Sequence, residues 1–247
     1  MILRQIRLLT WNVHRCLGID GRISPARIAD VIAAAAPDIV ALQEVDVMRK
    51  RTGYVDQAEE IAHRLGMDSH FHNNLCVLEE QYGDAILTTL PSRLMHSGRL
   101  PALPGLRSIE PRGAVWARID CGGVILNVIN THLSLVPRER RSQTECLLGP
   151  EWISREDCEG AIALVGDFNL VPRSHVYHRL TKALKDAQRS PGIGRTQPTF
   201  PSGFPVLRID HVFMRGEVQV THVDVIRNRL TRVASDHLPL VVDLQIS

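Results

Sequence analysis

Short apolar runs, each bounded by Gly or Pro and closed by a polar side chain, recur along this chain and confine it to folds rich in buried strands. The clearest is residues 163–172, ALVGDFNLVP. An apolar stretch meets Gly166, Asp167 and Asn169 then flank Phe168, and Pro172 ends the run. Under strand alternation Asp167 and Asn169 face the same side. A carboxylate and an amide at the mouth of a buried strand carry a desolvation cost unless they bind something. The other reading is a turn in which both side chains cap the backbone.

The remaining segments follow the same grammar. Residues 2–13 spell a strand closed by Asn12 and His14. Ser24-Pro25 opens a helix, with Ser as the cap and Pro in the first turn. Ile28, Val31, Ile32 and Ala35 give it an apolar face, and Pro37 stops it. Residues 38–45, DIVALQEV, form a second buried strand ending at Gln43-Glu44. Asp56 and Glu59 have capping-box spacing for a second helix, with Ala58, Ile61, Ala62 and Leu65 as its stripe and Gly66 as its C-cap. Strands are expected over residues 82–90, 113–119 and 123–132. A polar, Arg-bearing segment, residues 136–144, then leads through a connection to Gly160. Ser174 caps a helix carrying Val176, Leu180, Ala183 and Leu184, residues 190–205 are a Gly- and Pro-rich loop, and strands close the chain over 206–214, 218–226 and 237–246. No repeat or flexible linker interrupts the 247 residues, so one domain over residues 1–247 is expected. Strands outnumber helices and cluster late, which predicts a mixed, partly antiparallel α/β architecture.

Composition narrows the class. The formal charge of +2 gives no general support to a dedicated nucleic-acid binder, although a local patch would suffice. Five scattered cysteines, Cys16, Cys76, Cys121, Cys146 and Cys158, form no C-x-x-C and suit a reducing compartment. The first residues break their apolar run with Arg4, Gln5 and Arg7, unlike a signal peptide, and nothing approaches the roughly 18 apolar residues of a membrane span. The expectation is a soluble cytoplasmic monomer with no stable protein partner and no transmembrane segment.

The polar residues fall at strand ends. Asn12, Glu44, His132, Asp167 and Asn169 close apolar runs, Asp210 lies inside RIDHVF, and Asp236-His237 precedes LPLVVDL. Each alone has an ordinary explanation: a cap, an Asx turn, a satisfied core imidazole. Together they are too many and too uniform in type for turn chemistry. Carboxylate and carbonyl oxygens suit Mg²⁺ or Mn²⁺ rather than zinc. Two histidines beside carboxylates suit proton transfer. The combination fits hydrolysis of a phosphate ester.

The motifs TWNVH (10–14), LQEV (42–45), YGDAIL (82–87), NTHLS (130–134), GDFN (166–169), RIDHVF (208–213) and SDHLPL (235–240) resemble, in order, the endonuclease/exonuclease/phosphatase superfamily, which includes DNase I. The resemblance implies a DNase I-like four-layer α-β-β-α sandwich with two mixed, largely antiparallel sheets. It implies a Mg²⁺- or Mn²⁺-dependent phosphoesterase, with Glu44 as principal metal ligand and Asn12 and Asp236 completing or flanking the metal. Asp210 would orient His237, His132 would bind and protonate the phosphate or leaving group, Asp167 would orient water, and Asn169 would contact phosphate. Two further residues are expected to contribute. Asp84 would pair with His132 and raise its pKa, or else cap a turn after Gly83, and Arg112 would grip a substrate phosphate, or else be a solvated arginine. No basic, aromatic-bearing DNA loop stands out, and Arg138, Arg140 and Arg141 form a basic cluster, which as a run of charge would ordinarily be a solvated face. A phosphodiesterase or phosphatase acting on a small or lipid-headgroup ester leads. A nuclease using the same site follows, and a binding protein that has lost catalysis comes last.

Overall fold

The computed structural model describes residues 3–103 and 110–247. Twelve strands form two six-stranded sheets. The first contains β1 (Arg4–Asn12), β2 (Ile39–Val47), β3 (Asp68–Val77), β4 (Glu80–Thr88), β11 (Val218–Val225) and β12 (Leu240–Ile246), in the order β11-β12-β1-β2-β4-β3. The second contains β5 (Ser92–Arg99), β6 (Gly113–Asp120), β7 (Ile125–His132), β8 (Ala161–Asp167), β9 (Lys185–Asp186) and β10 (Asp210–Arg215), in the order β5-β6-β7-β8-β10-β9.

Each sheet holds one parallel pair, β1 with β2 and β7 with β8, at its centre. All other pairings are antiparallel. The sheets face one another across a core that includes Leu8, Ala41 and Val242 from one and Val115, Val128 and Val165 from the other. The outer face of the first sheet buries Leu9, Trp11 and Leu42 under helices α1 (Pro25–Ala35) and α2 (Gln57–Leu65). The outer face of the second buries Trp116, Ile129 and Leu164 with α3 (Pro137–Leu148) and α4 (His175–Ala183). The result is a four-layer α-β-β-α sandwich. A one-turn helix, α5 (Thr231–Ala234), precedes β12.

The predicted helix starts are where the caps are. Ser24, Asp56 and Ser174 accept the backbone N–H of Arg27, Glu59 and Tyr177. Three expectations change. Residues 137–148 are a helix rather than a connection. β3 and β5 are strands without a clear apolar signal. β10 begins at Asp210, so residues 206–209 lie outside it.

Topology gathers the polar strand ends. Because β7 and β8 run in parallel, His132 lies in register with Asp167. Because β10 is antiparallel to β8, its first residue, Asp210, pairs with that same Asp167. In the other sheet Asn12 pairs with Gln43, next to Glu44, while β12 enters antiparallel to β1, bringing Asp236 and His237 to the end that Asn12 occupies.

Candidate active site

The centre lies where both sheets end. Asn12 is the link between them: its Nδ2 donates to Glu44 Oε1 and to Asp167 Oδ2, each at 3.0 Å. Asp167 Oδ2 is 3.4 Å from His132 Nε2 and 3.6 Å from His237 Nε2. His237 Nδ1 donates to Asp210 Oδ2 at 2.9 Å. Asn12, His132, Asp167, Asp210 and His237 are buried, while Glu44 and Asn169 are partly open.

Local backbone aims these side chains. β2 carries a bulge between Leu42 and Val45 against β4, and Glu44 sits in the left-handed region at φ 59°. A bulge of this kind turns a side chain out of the sheet's alternation, at a strain cost that the surroundings must hold. At the end of β8, Asp167 Oδ1 accepts the Asn169 N–H (2.9 Å). The turn reading and the site reading of this stretch therefore both apply, one to each carboxylate oxygen. Phe168 points the other way, edge-on to Phe213 in the outer core.

Electrostatics separate the two histidines. Burial alone would lower the pKa of His237, but Asp210 and Asp167 outweigh it and raise it to about 10, so the ring is an imidazolium clamped between two carboxylates. Burial raises Asp167 to about 7, against the pull of His237. His132 moves well below its usual value, through burial and then the Arg112 charge. Arg112 Nη1 is 2.8 Å from His132 Nδ1. A guanidinium can only donate, so Nδ1 accepts and the ring's hydrogen sits on Nε2. Asn169 Nδ2, fixed by donating to the Leu133 carbonyl (2.9 Å), lies 3.0 Å from that same Nε2. Two N–H groups thus stand side by side, an arrangement suited to one anionic oxygen accepting from both.

This geometry corrects the expected Asp84–His132 pair. Asp84 is fully buried, accepts from Asn74 Nδ2 (2.8 Å) and lies against the backbone N–H of Glu44. It supports the Glu44 bulge, and burial raises its own pKa to about 7. His132 has Arg112 as its partner, and its pKa falls rather than rises. Arg112 is buried, bonded to His132 and 3.3 Å from Glu110 Oε2. It is therefore neither a solvated arginine nor, by these contacts, a free phosphate grip. Its geometry is that of a positioning residue behind His132.

Three other residues of the site are not singled out in the sequence, although Ser235 opens the SDHLPL motif. The Thr199 hydroxyl donates to Asp210 Oδ2. Ser235 Oγ donates to the Asn12 carbonyl (2.8 Å) and accepts the His237 N–H (3.2 Å). Phe200 packs its ring 4.8 Å from that of His237. None stands at the end of an apolar run, so strand-end reasoning passes over them.

The donor chemistry fits a hard divalent cation. Glu44 presents a partly open carboxylate with one hydrogen bond, from Asn12, among the described residues. Asn12 adds a carbonyl oxygen, which also accepts from the His14 N–H. Asp236 stands on the rim, contacting Ser235 and His14, and no hydrogen bond or ion pair among the described residues joins it to Glu44. Asp167, Asp210 and His237 also form a compact cluster, with ligand atoms within 4.8 Å of one another. In that cluster a proton on His237 already satisfies both carboxylates.

Fold and site together are those of a four-layer α-β-β-α sandwich whose strand ends gather one buried polar cluster. The sequence matches the endonuclease/exonuclease/phosphatase family over residues 9–237, and the chain belongs to that family, whose members are hydrolases acting on phosphoester bonds. It is similar to the protein YbhP of Escherichia coli K12, 25% identical over 97% of this chain and 96% of the relative. Among solved structures it is similar to an endonuclease/exonuclease/phosphatase from Bacteroides vulgatus (TM-score 0.80, 20% identity, 98% of this chain and 99% of that one). It is also similar to a mannosyl-6-phosphatase from Bacteroides thetaiotaomicron (TM-score 0.77, 20% identity, 97% and 99%).

Proposed function

We propose that this chain is a divalent-metal-dependent phosphoester hydrolase, a phosphodiesterase or phosphatase in which an activated water attacks phosphorus. One observation carries the reading. Side chains from both sheets converge through Asn12 and Asp167 into one buried network that holds an imidazolium, a carboxylate and two neighbouring N–H donors, on His132 and Asn169.

A phosphoryl group gains negative charge toward its transition state, and fixed donors and cations are the largest stabilising influence available. Asn169 Nδ2–H and His132 Nε2–H bind a non-bridging oxygen. His132, held in one tautomer by Arg112, donates without carrying a charge of its own. His237, kept protonated and oriented by Asp210, adds positive charge beside Asp167. Asp167 accepts from and aims the water. Glu44, with Asn12 and Asp236, would hold Mg²⁺ or Mn²⁺, which supplies charge neutralisation at the phosphate when bound. The Bacteroides mannosyl-6-phosphatase lends weight to a phosphatase activity on a small ester.

The test is a panel of bis-p-nitrophenyl phosphate, p-nitrophenyl phosphate, sugar phosphates, oligonucleotides and sphingomyelin, assayed with Mg²⁺ and with Mn²⁺. At least one is turned over, EDTA stops the turnover, and His237→Ala reduces it by about 10³-fold or more. Turnover that survives both EDTA and His237→Ala would falsify the assignment.

A further inference from the structure

One cleft of the molecule is not over the proposed catalytic network. It lies beside it, between α3 and α4, and is about 720 Å³. The cluster Arg138, Arg140 and Arg141, which by itself reads as a solvated run, here faces Arg173, Arg179 and Lys182 across the cleft. One acid, Glu145, answers these six cations, and it is paired with Arg179 at 2.9 Å. Arg138, Arg141, Arg173 and Lys182 have no carboxylate partner among the described residues. The chain as a whole is close to neutral at +2, so the concentration of charge is local.

The spacing is regular. Residues 138, 141 and 145 share one face of α3, and residues 175, 178, 179 and 182 share one face of α4. The cations of each series, 138 with 141 and 179 with 182, lie about 5 Å apart along their helix. The cleft also adjoins the centre. Arg140 donates to the carbonyls of Ser134 and Leu135, just past His132, and lies within reach of the Asp167 charge. Arg173 follows Asn169 by four residues.

We infer that this cleft holds the backbone phosphates of a single nucleic-acid strand whose scissile phosphate lies in the catalytic network. The inference rests on the phosphoesterase reading and assigns it a substrate class. Arg138 and Arg141 on α3, Arg173 before α4, and Arg179 and Lys182 on α4 spread the charge over several positions, which matches several phosphates better than a single headgroup. A lipid surface would be met by an exposed apolar face, whereas Pro137 and Val176 are the apolar side chains lining this concave wall. No Phe, Tyr or Trp lines it, so bases have no stacking platform, and recognition is through phosphate, tolerant of sequence and sensitive to salt.

The experiment measures binding of a short fluorescein-labelled oligothymidylate to the full chain in EDTA, where no cleavage occurs, across a series of salt concentrations. The variant is Arg138→Ala/Arg141→Ala/Lys182→Ala. The control, Arg93→Ala/Arg118→Ala/Arg229→Ala, removes the same charge elsewhere on the surface, and thermal melts establish that both are folded. The expected result is binding at low salt that weakens by about 10-fold or more in the cleft variant but not in the control. The slope of log K against log salt falls by about 2, near 0.7 for each of three cations. With metal present, the ratio of kcat/KM on the oligonucleotide to that on bis-p-nitrophenyl phosphate falls in step. Equal loss in variant and control, no binding by the wild-type chain, or displacement of the oligomer by phosphatidylserine vesicles in preference to unlabelled strand overturns the inference. Turnover of the small diester with no strand binding would remove the strand and leave the hydrolase. Strand binding without any turnover would do the reverse.

Discussion

Neighbouring residues drive three histidines of this molecule in opposite directions. His237 is raised by Asp210 and Asp167, His132 is lowered by burial and Arg112, and His211 is lowered to about 4 by burial and Arg208. His211 lies away from the proposed chemistry, donating to the Leu170 carbonyl and stacked on Phe213. Its effect on stability has a definite sign. In the unfolded chain it takes a proton near pH 6.5, in the folded chain near 4, so between those values the unfolded state binds more protons. Stability should therefore fall as pH drops from 6.5 to 4, by up to about 1.4 kcal/mol per pH unit from this one group. Urea midpoints measured across that window should decline less steeply in His211→Phe than in the wild type. Parallel slopes would show that His211 is not the group responsible. At this scale the sequence displayed side-chain types at strand ends, and Asn12, Glu44, His132, Asp167 and His237 do stand together. It could not display what lies behind them. Arg112 against His132 and Thr199 against Asp210 are contacts between distant segments, and no local pattern encodes them.

Elements were legible in proportion to their apolar signal. β2 and β8 are central and buried on both faces, and each opens with a continuous apolar run, as β1 does in its second half at Leu8 and Leu9. β3 (DSHFHNNLCV) and β5 (SRLMHSGR) lie at sheet edges, half-buried, and carry no such run. α3 (PRERRSQTECLL) was hidden for a different reason: it buries Glu139, Gln143 and Thr144 alongside Leu147. Gln143 and Glu139 bond to the N–H and hydroxyl of Ser134, tying the helix to the segment after His132. Where β7 and β8 run side by side, Gly166 adopts φ 136°, and a Cβ there would lie 1.9 Å from the Thr131 carbonyl oxygen. Gly166→Ala must therefore push the pair apart one residue before Asp167. It should cost more than about 3 kcal/mol of stability, measured by urea denaturation, because it combines backbone strain with a steric clash. A loss below about 1 kcal/mol would mean that the strand ends can yield.

Across the whole molecule, the sheets are joined by more than apolar packing. Asn130 on β7 donates to the carbonyls of Leu42 and Ala85 in the opposite sheet and accepts from Gln43 at 2.7 Å. All of this is buried just beneath the catalytic network. Removing a buried partner leaves groups unsatisfied at about 1–3 kcal/mol each, so Asn130→Ala should destabilise by about 3 kcal/mol or more in denaturant titrations. Asn130 belongs to the NTHLS motif and Gln43 to LQEV, so the motifs carry a structural clasp as well as the proposed site residues. The order of motifs along the chain made the sandwich legible, but the strand orders β11-β12-β1-β2-β4-β3 and β5-β6-β7-β8-β10-β9 were not, because pairing between distant strands leaves no periodicity in a single sequence.

The bond from Asn12 to Asp167 crosses from one sheet to the other. The proposed machinery is therefore indivisible. One half of the sandwich contributes Glu44 and Asn12, the other His132, Asp167 and Asn169, and neither half would retain a weakened remnant of the chemistry if separated.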